Sequence, residues 1–190
     1  MSTPSSTDLE NQDCLFADDD DEAPAALAIE LLADQEPWNI LIVDDDVDVH
    51  VVTKFALRDV RYKRRPLNFF HAYSGSEGAT IMRNTRNMAC VLLDVVMEND
   101  HAGLDLARQI RGELDNQLVR IVLRTGQSGQ ALEQSIIVDY DVNDYRTKSE
   151  LTSQKLFTTV ISALRAYESL LTASLSIDAL HRAQTKIREL

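Results

Sequence analysis

Five polar residues stand where apolar runs end, and their types fit one reaction. Asp44 and Asp45 follow ILIV at 40–43, Asp94 follows CVLL at 90–93, Thr125 closes VRIVLRT at 119–125, and Lys148 follows the short run at 142–145. Three carboxylates brought together repel one another and resist losing water, so a shared pocket needs a counter-cation. A hard divalent ion with oxygen ligands, Mg²⁺ above all, meets that need and tolerates retained water. Lys148 adds a point charge able to hold a carboxylate or a phosphoryl oxygen, and Thr125 adds a hydroxyl donor. Asp94, at the end of the most apolar run, suits a carboxylate nucleophile in covalent phosphoryl transfer. The ion, Lys148 and Thr125 would then neutralise charge on the phosphoryl oxygens.

Taken singly, each of these residues has an ordinary explanation. Three consecutive aspartates commonly form a solvated turn or a helix start. A lysine before a helix is usually surface, and a threonine before a glycine is usually part of a turn. Only their joint placement says more, and that depends on the elements that carry them. Strand-like segments at 39–43, 67–73, 90–94, 119–125 and 142–145 alternate with helix-like segments at 47–58, 76–84, 104–112 and 130–138, and a final helix starts at Ser149 or Thr152. Ser74 with Glu77 reads as a capping box. Five strands alternating with helices imply a parallel sheet with right-handed crossovers. Sites in such sheets form at the carboxyl ends of the strands, so the five polar residues are expected on one edge. Asp46 and Asp48 read as first-turn acids favoured by the helix dipole. The histidines show no ligand spacing. The basic turn RYKRRP at 61–66 reads as a solvated loop, and Gly103-Leu104 as ordinary loop-to-helix chemistry.

Bulk properties narrow the function classes. The 190 residues suit one domain with extensions, and 44% hydrophobic content is that of an ordinary globular chain. The net charge is −12, yet residues 1–37 hold eleven acids and no Lys or Arg, which leaves −1 for residues 38–190. A near-neutral body with an acidic tail argues against a nucleic-acid-binding surface. Residues 1–23 read as disordered, and 24–35 as a short amphipathic helix. Cys14 and Cys90 form no metal or redox pattern, which fits reduced thiols. No apolar run is long enough to span a membrane, and the N-terminus has neither the basic start nor the apolar core of a signal peptide. The expectation is a soluble, cytoplasmic protein.

The ordered motifs ILIVDDD, LLDVVM, VLRTG and DYRTK resemble the receiver domain of two-component response regulators, over about 38–167. The resemblance implies a flavodoxin-like, doubly wound, five-stranded parallel sheet of order 2-1-3-4-5. It implies phosphoryl transfer from a histidine kinase or phosphotransfer protein to Asp94, with Mg²⁺ held by Asp44, Asp45, Asp94 and the backbone carbonyl of Val96. Thr125 takes the part of the switch hydroxyl, Lys148 that of the family lysine, and Tyr145 that of the switch aromatic. Two positions depart from the family pattern: Glu98 stands where proline is common, and Ser149 follows the lysine where proline is usual. The wording LLDVVMEND, RIVLRTGQ and DYDVNDYRTKSELT resembles receivers that precede a sensory region and a cyclic-di-GMP phosphodiesterase, a diguanylate cyclase or a kinase module. The expectation for these 190 residues is a non-enzyme, with no output enzyme domain.

Beyond Tyr167 a helical pattern continues without Gly or Pro. Leu170, Ala173, Ile177, Leu180, Gln184 and Ile187 follow heptad spacing, so 168–190 is expected as a helical extension and coiled-coil linker. A homodimer through this helix, or through the face of the fourth and fifth helices, is the expected output. Two other function classes compete. One is a phosphatase that uses the Asp44-Asp45-Asp46 run as its nucleophile. The other is a receiver-shaped scaffold that works without phosphorylation.

Overall fold

The computed structural model describes residues 36–126, 139–148 and 152–188, apart from the side chains of 178 and 186–188. The chain divides into two units, Met1–Asp34 and Gln35–Leu190, and the description below concerns the second. The helices expected over 24–35 and 130–138, the acidic stretch up to residue 35, and Ser149 lie outside the described residues.

In chain order the elements are β1 Trp38–Val43, α1 Val47–Leu57, β2 Arg61–Tyr62, β3 Arg65–Ala72, α2 Gly75–Asn84, β4 Met88–Asp94, α3 Ala102–Arg111, β5 Arg120–Thr125, β6 Asp144–Thr147 and α4 Ser153–Arg188. The sheet order is β2-β3-β1-β4-β5-β6. Five strands run parallel in the expected 2-1-3-4-5 order, so the fold is the flavodoxin-like one. The sixth strand is a correction: the basic turn is not a plain loop. Arg61 and Tyr62 pair antiparallel with Pro66 and Arg65. Lys63 and Arg64, at φ 51° and 66°, both take the left-handed conformation of a tight hairpin turn. Side chains without glycine's freedom resist that conformation, and contacts to other elements hold the hairpin in place. Lys63 pairs with Glu168 of α4 at 2.8 Å. The Tyr62 hydroxyl donates to Glu168 at 3.1 Å, and the Trp38 indole N–H donates to the Tyr62 carbonyl at 3.0 Å.

Period-two alternation divides the core between the two faces of the sheet. Leu41, Val43, Val91, Leu93, Ile121 and Leu123 pack on the side of α2 and α3. Ile40, Ile42, Cys90, Leu92 and Val122 pack on the side of α1 and α4, against Leu57, Leu156, Val160 and Leu164. β4 is buried at all seven positions, as a central strand covered on both faces must be. α2 begins at Ser74, whose Oγ accepts from the Glu77 N–H at 3.2 Å while the Glu77 carboxylate accepts from the Tyr73 N–H at 2.8 Å. α4 begins at Thr152, whose Oγ1 accepts from the Lys155 N–H. Its 36 residues extend about 54 Å at the usual rise. One face of its first turns is buried, through Leu156, Val160, Ala163, Leu164 and Tyr167. Beyond them Leu170, Leu175, Ile177 and Leu180 are exposed by 39 to 63%.

Candidate functional site

The carboxyl ends of β1, β4, β5 and β6 lie side by side because the strands pair in register: Val43 beside Leu93, Asp94 beside Arg124, and Thr125 beside Thr147. Asp44 is fully buried and Asp94 is 2% exposed, while Asp45 is exposed. One carboxylate oxygen from each lies within 4.8 Å of the other two. Lys148 bridges the two buried acids. Its Nζ stands 2.7 Å from Asp94 Oδ2 and 3.3 Å from Asp44 Oδ2. The Lys148 N–H donates to the Thr125 carbonyl at 2.7 Å, which fixes the lysine at the strand edge. Thr125 is buried at the end of β5, and Tyr145 is buried in β6.

Electrostatics in this cluster are asymmetric. Burial pushes the Asp94 carboxyl above its ordinary range; the Lys148 ammonium opposes the shift and the Asp44 charge adds to it. Burial also lowers Lys148, but the hydrogen bond to Asp94 and the two carboxylate charges outweigh it, so the ammonium is held above its ordinary value. Both directions are consistent. Lys148 keeps 32% of its side chain exposed and gains two carboxylate partners, whereas Asp94 is almost fully enclosed and has a like charge beside it.

Among the described residues Asp94 Oδ1 is buried without a hydrogen-bond partner, and Asp44 Oδ2 has the Lys148 charge 3.3 Å away but accepts no hydrogen bond. Orphaned buried oxygens are rare because each costs the desolvation of a polar group. Mg²⁺ takes oxygen ligands and keeps several waters, and three carboxylates gathered within 4.8 Å, two of them buried, are an all-oxygen donor set that suits such an ion. The backbone on either side of Val96 is fixed by hydrogen bonds. The Val95 N–H donates to the Arg124 carbonyl at 3.0 Å, the Val95 carbonyl accepts from Gly103 at 3.1 Å, and the Met97 N–H donates to the Asn99 carbonyl at 3.2 Å.

Several side chains differ from their sequence reading. Glu98 turns away from the carboxylates, and its Oε1 accepts from the Gly75 N–H at 2.9 Å at the start of α2. That position suits a negative charge. Asp46 is the N-cap of α1, accepting from the Asp48 N–H at 2.9 Å. Gly103 is more than a loop glycine, because a Cβ there would stand 1.9 Å from the Asp94 carbonyl oxygen.

Two polar residues of the site were missed in the sequence. His50 is buried on α1, with Nε2 2.7 Å from the Asp44 carbonyl and Nδ1 3.0 Å from His71 Nδ1. A carbonyl only accepts, so Nε2 carries a proton. Burial, then His50 and Lys54, hold the His71 pKa below its ordinary value. No spacing rule pairs residues 50 and 71. Arg124, 7% exposed, donates from Nη1 to Thr53 Oγ1 at 3.2 Å, and its Nη2 stands 3.9 Å from Asp44 Oδ2. The available signal was a basic residue inside an apolar strand.

A family model described as the response regulator receiver domain matches residues 40–161. A curated relative, a 3'3'-cGAMP-specific phosphodiesterase 2 from Vibrio cholerae, is 48% identical over 156 residues, which is 82% of this chain and 30% of that protein. This finding corrects the expectation of a non-enzyme: the matched stretch is part of an enzyme in that relative, and it spans less than a third of its length. Among solved structures, the chemotaxis protein CheY4 of Vibrio cholerae matches with a TM-score of 0.58 at 18% identity, covering 67% of this chain and 99% of that one. The CheX-CheY-BeF3-Mg²⁺ complex from Borrelia burgdorferi matches at 0.56 and 22% identity, covering 66% and 88%. At these identities the likeness is one of fold.

Proposed function

The chain belongs to the response regulator receiver domain family, and from that premise we propose that Asp94 accepts a phosphoryl group from a histidine kinase or phosphotransfer protein in a Mg²⁺-dependent reaction. The observation that carries this reading is the Asp94 carboxylate itself. One oxygen is held by Lys148 at 2.7 Å, and the other is buried with no partner among the described residues, beside Asp44. A group left so under-satisfied suits a bound cation and an incoming electrophile.

An Asp94 oxygen attacks the phosphorus of a phosphohistidine. The P–O bond forms as the P–N bond breaks, and the departing imidazole keeps the electron pair and takes a proton from water. Asp44, Asp45, Asp94 and the Val96 carbonyl would hold Mg²⁺, which when bound supplies positive charge to the phosphoryl oxygens. Lys148 supplies a second cation beside Asp94. Thr125 offers its hydroxyl to a phosphoryl oxygen, and Tyr145, which pairs with Leu123 two residues before Thr125, follows that movement. The receiver occupies 38–167, and 168–190 carries the change onward as a helix. The exposed Leu170, Leu175, Ile177 and Leu180 support a second copy of this helix as its partner. The Vibrio relative supports a cyclic-dinucleotide phosphodiesterase as the activity of the whole protein. No helix among the described residues is long and apolar enough to cross a membrane, which agrees with action in the cytoplasm.

Intact-mass spectrometry after incubation with acetyl phosphate, with and without Mg²⁺, tests the reading. One Mg²⁺-dependent phosphoryl adduct, lost in Asp94→Asn, is expected. Absence of an adduct in a chain that binds Mg²⁺ would replace the reading with the unphosphorylated scaffold.

A further inference from the structure

Arg124 has no part in the chemistry above, yet it lies inside the site. Strand alternation sends Thr125 toward α2 and α3 and sends Arg124, like Val122, toward α1 and α4. There the guanidinium is enclosed by Thr53 of α1 and by Asp44, and with Thr53, Lys148 and Leu156 it lines a small cavity of about 230 Å³. A guanidinium stays charged across the working pH range, and burying one is costly unless its donors and charge are matched. The match here is incomplete. Nε is buried with no partner among the described residues, Nη1 reaches a neutral hydroxyl, and Nη2 stands 3.9 Å from Asp44 Oδ2, beyond hydrogen-bond reach. Stability alone does not favour an arginine at this position.

The charges around it do. With three carboxylates, Lys148 and Arg124, the cluster carries one net negative charge; without Arg124 it would carry two. A divalent ion entering the cluster therefore meets, besides Lys148, a second fixed positive charge facing Asp44 Oδ2, an oxygen that accepts no hydrogen bond among the described residues. After phosphorylation Asp94 loses its own charge and gains a dianionic phosphoryl group. Asp44, Asp45 and that group then sum to four negative charges. The divalent ion, Lys148 and Arg124 sum to four positive ones, so the site balances only when ion and phosphoryl group are both present. We propose that Arg124 is a resident competitor of the divalent ion at Asp44: it weakens metal binding in the unphosphorylated chain and yields a balanced site once the phosphoryl group is in place. By linkage, metal and phosphoryl group then favour one another more strongly than the carboxylates alone would allow.

This inference rests on the metal reading above, and the test separates the two. Mg²⁺ is titrated calorimetrically, at fixed ionic strength, into the wild-type chain, Arg124→Met, Arg124→Lys and the exposed-charge control Arg58→Met. Arg124→Met is expected to bind Mg²⁺ about tenfold more tightly than wild type. Arg124→Lys should bind close to wild type, and the control should be unchanged. With beryllofluoride added as a phosphoryl mimic, the advantage of Arg124→Met should disappear. Thermal unfolding checks that each variant folds. If Arg124→Met does not, Arg124→Gln, which keeps a donor for Thr53, carries the same expectation. A wild-type Mg²⁺ affinity matched within twofold by both neutral variants would overturn the competitor role and leave the metal site standing. No Mg²⁺ binding by any variant would overturn the metal site and the competitor with it.

Discussion

The substitution Gly103→Ala tests how closely β4 and α3 are packed. Gly103 lies in the first turn of α3, and its N–H donates to the Val95 carbonyl at 3.1 Å. An added Cβ would stand 1.9 Å from the Asp94 carbonyl oxygen, 2.8 Å from its carbonyl carbon and 2.9 Å from Val95 Cα. Optimal heavy-atom contacts lie at roughly 3.5 Å, and all three obstacles are backbone. No side chain can rotate away, so α3 must retreat by about 1.5 Å. Overpacking of this kind typically costs about 1–3 kcal/mol. Losing the Gly103–Val95 hydrogen bond adds about 1–3 kcal/mol for a buried, unsatisfied carbonyl. The expected total is about 2–6 kcal/mol, a large part of the roughly 5–15 kcal/mol that holds a typical domain together. Urea unfolding followed by the fluorescence of Trp38, the chain's single tryptophan, measures it. Two further glycines calibrate the result. At Gly78 a Cβ meets the flexible Leu106 Cδ2 at 2.7 Å, and about 1–2 kcal/mol is expected. At Gly126 it meets open space, and alanine should be neutral or slightly stabilising. A Gly103→Ala loss below about 1 kcal/mol, or one no larger than that of Gly78→Ala, would refute the argument from backbone proximity.

Three other outcomes are expected. Burial holds Asp94 at a cost when no cation is bound, so in EDTA Asp94→Asn should raise the thermal midpoint by about 2–4 °C, an advantage that shrinks when Mg²⁺ is added. The hydrogen bond from Lys63 holds the Glu168 carboxyl below its ordinary pKa, against a small opposing effect of burial. Its contribution to stability is therefore full above the unfolded-state value and lost as pH falls through the lower folded-state value. Wild type should exceed Glu168→Gln in urea midpoint at pH 7, and the difference should shrink as the pH falls below the ordinary glutamate range. Burial pushes the Cys90 thiol up to about 12, so in a Cys14→Ser background a thiol reagent should modify Cys90 only as fast as the domain unfolds; rapid native-state labelling would contradict its enclosure.

Much of this protein is readable without coordinates, because the rules involved are local. Apolar runs of four to seven residues alternating with helical periodicity fix an α/β fold, since each strand must bury both faces and each crossover needs a covering helix. Ser74 with Glu77 announces its helix start because a cap is satisfied within four residues. Asp44, Asp45, Asp94 and Lys148 could be placed on one edge because each follows its own strand, and parallel order then aligns those ends. Other features depended on distances between segments remote in the chain. The hairpin at 61–66 carries no Asn-Gly turn, and it is pinned by Glu168, more than a hundred residues away. The partner of Glu98, the Gly75 N–H at 2.9 Å, lies at the start of another helix. His50 and His71 meet because a helix and a strand pack side by side. The burial of Arg124 follows from its strand parity, but its approach to Asp44 does not. A sequence specifies which groups each element presents; the charges and hydrogen bonds they find across the sheet depend on register and packing, which exist only once the chain has folded.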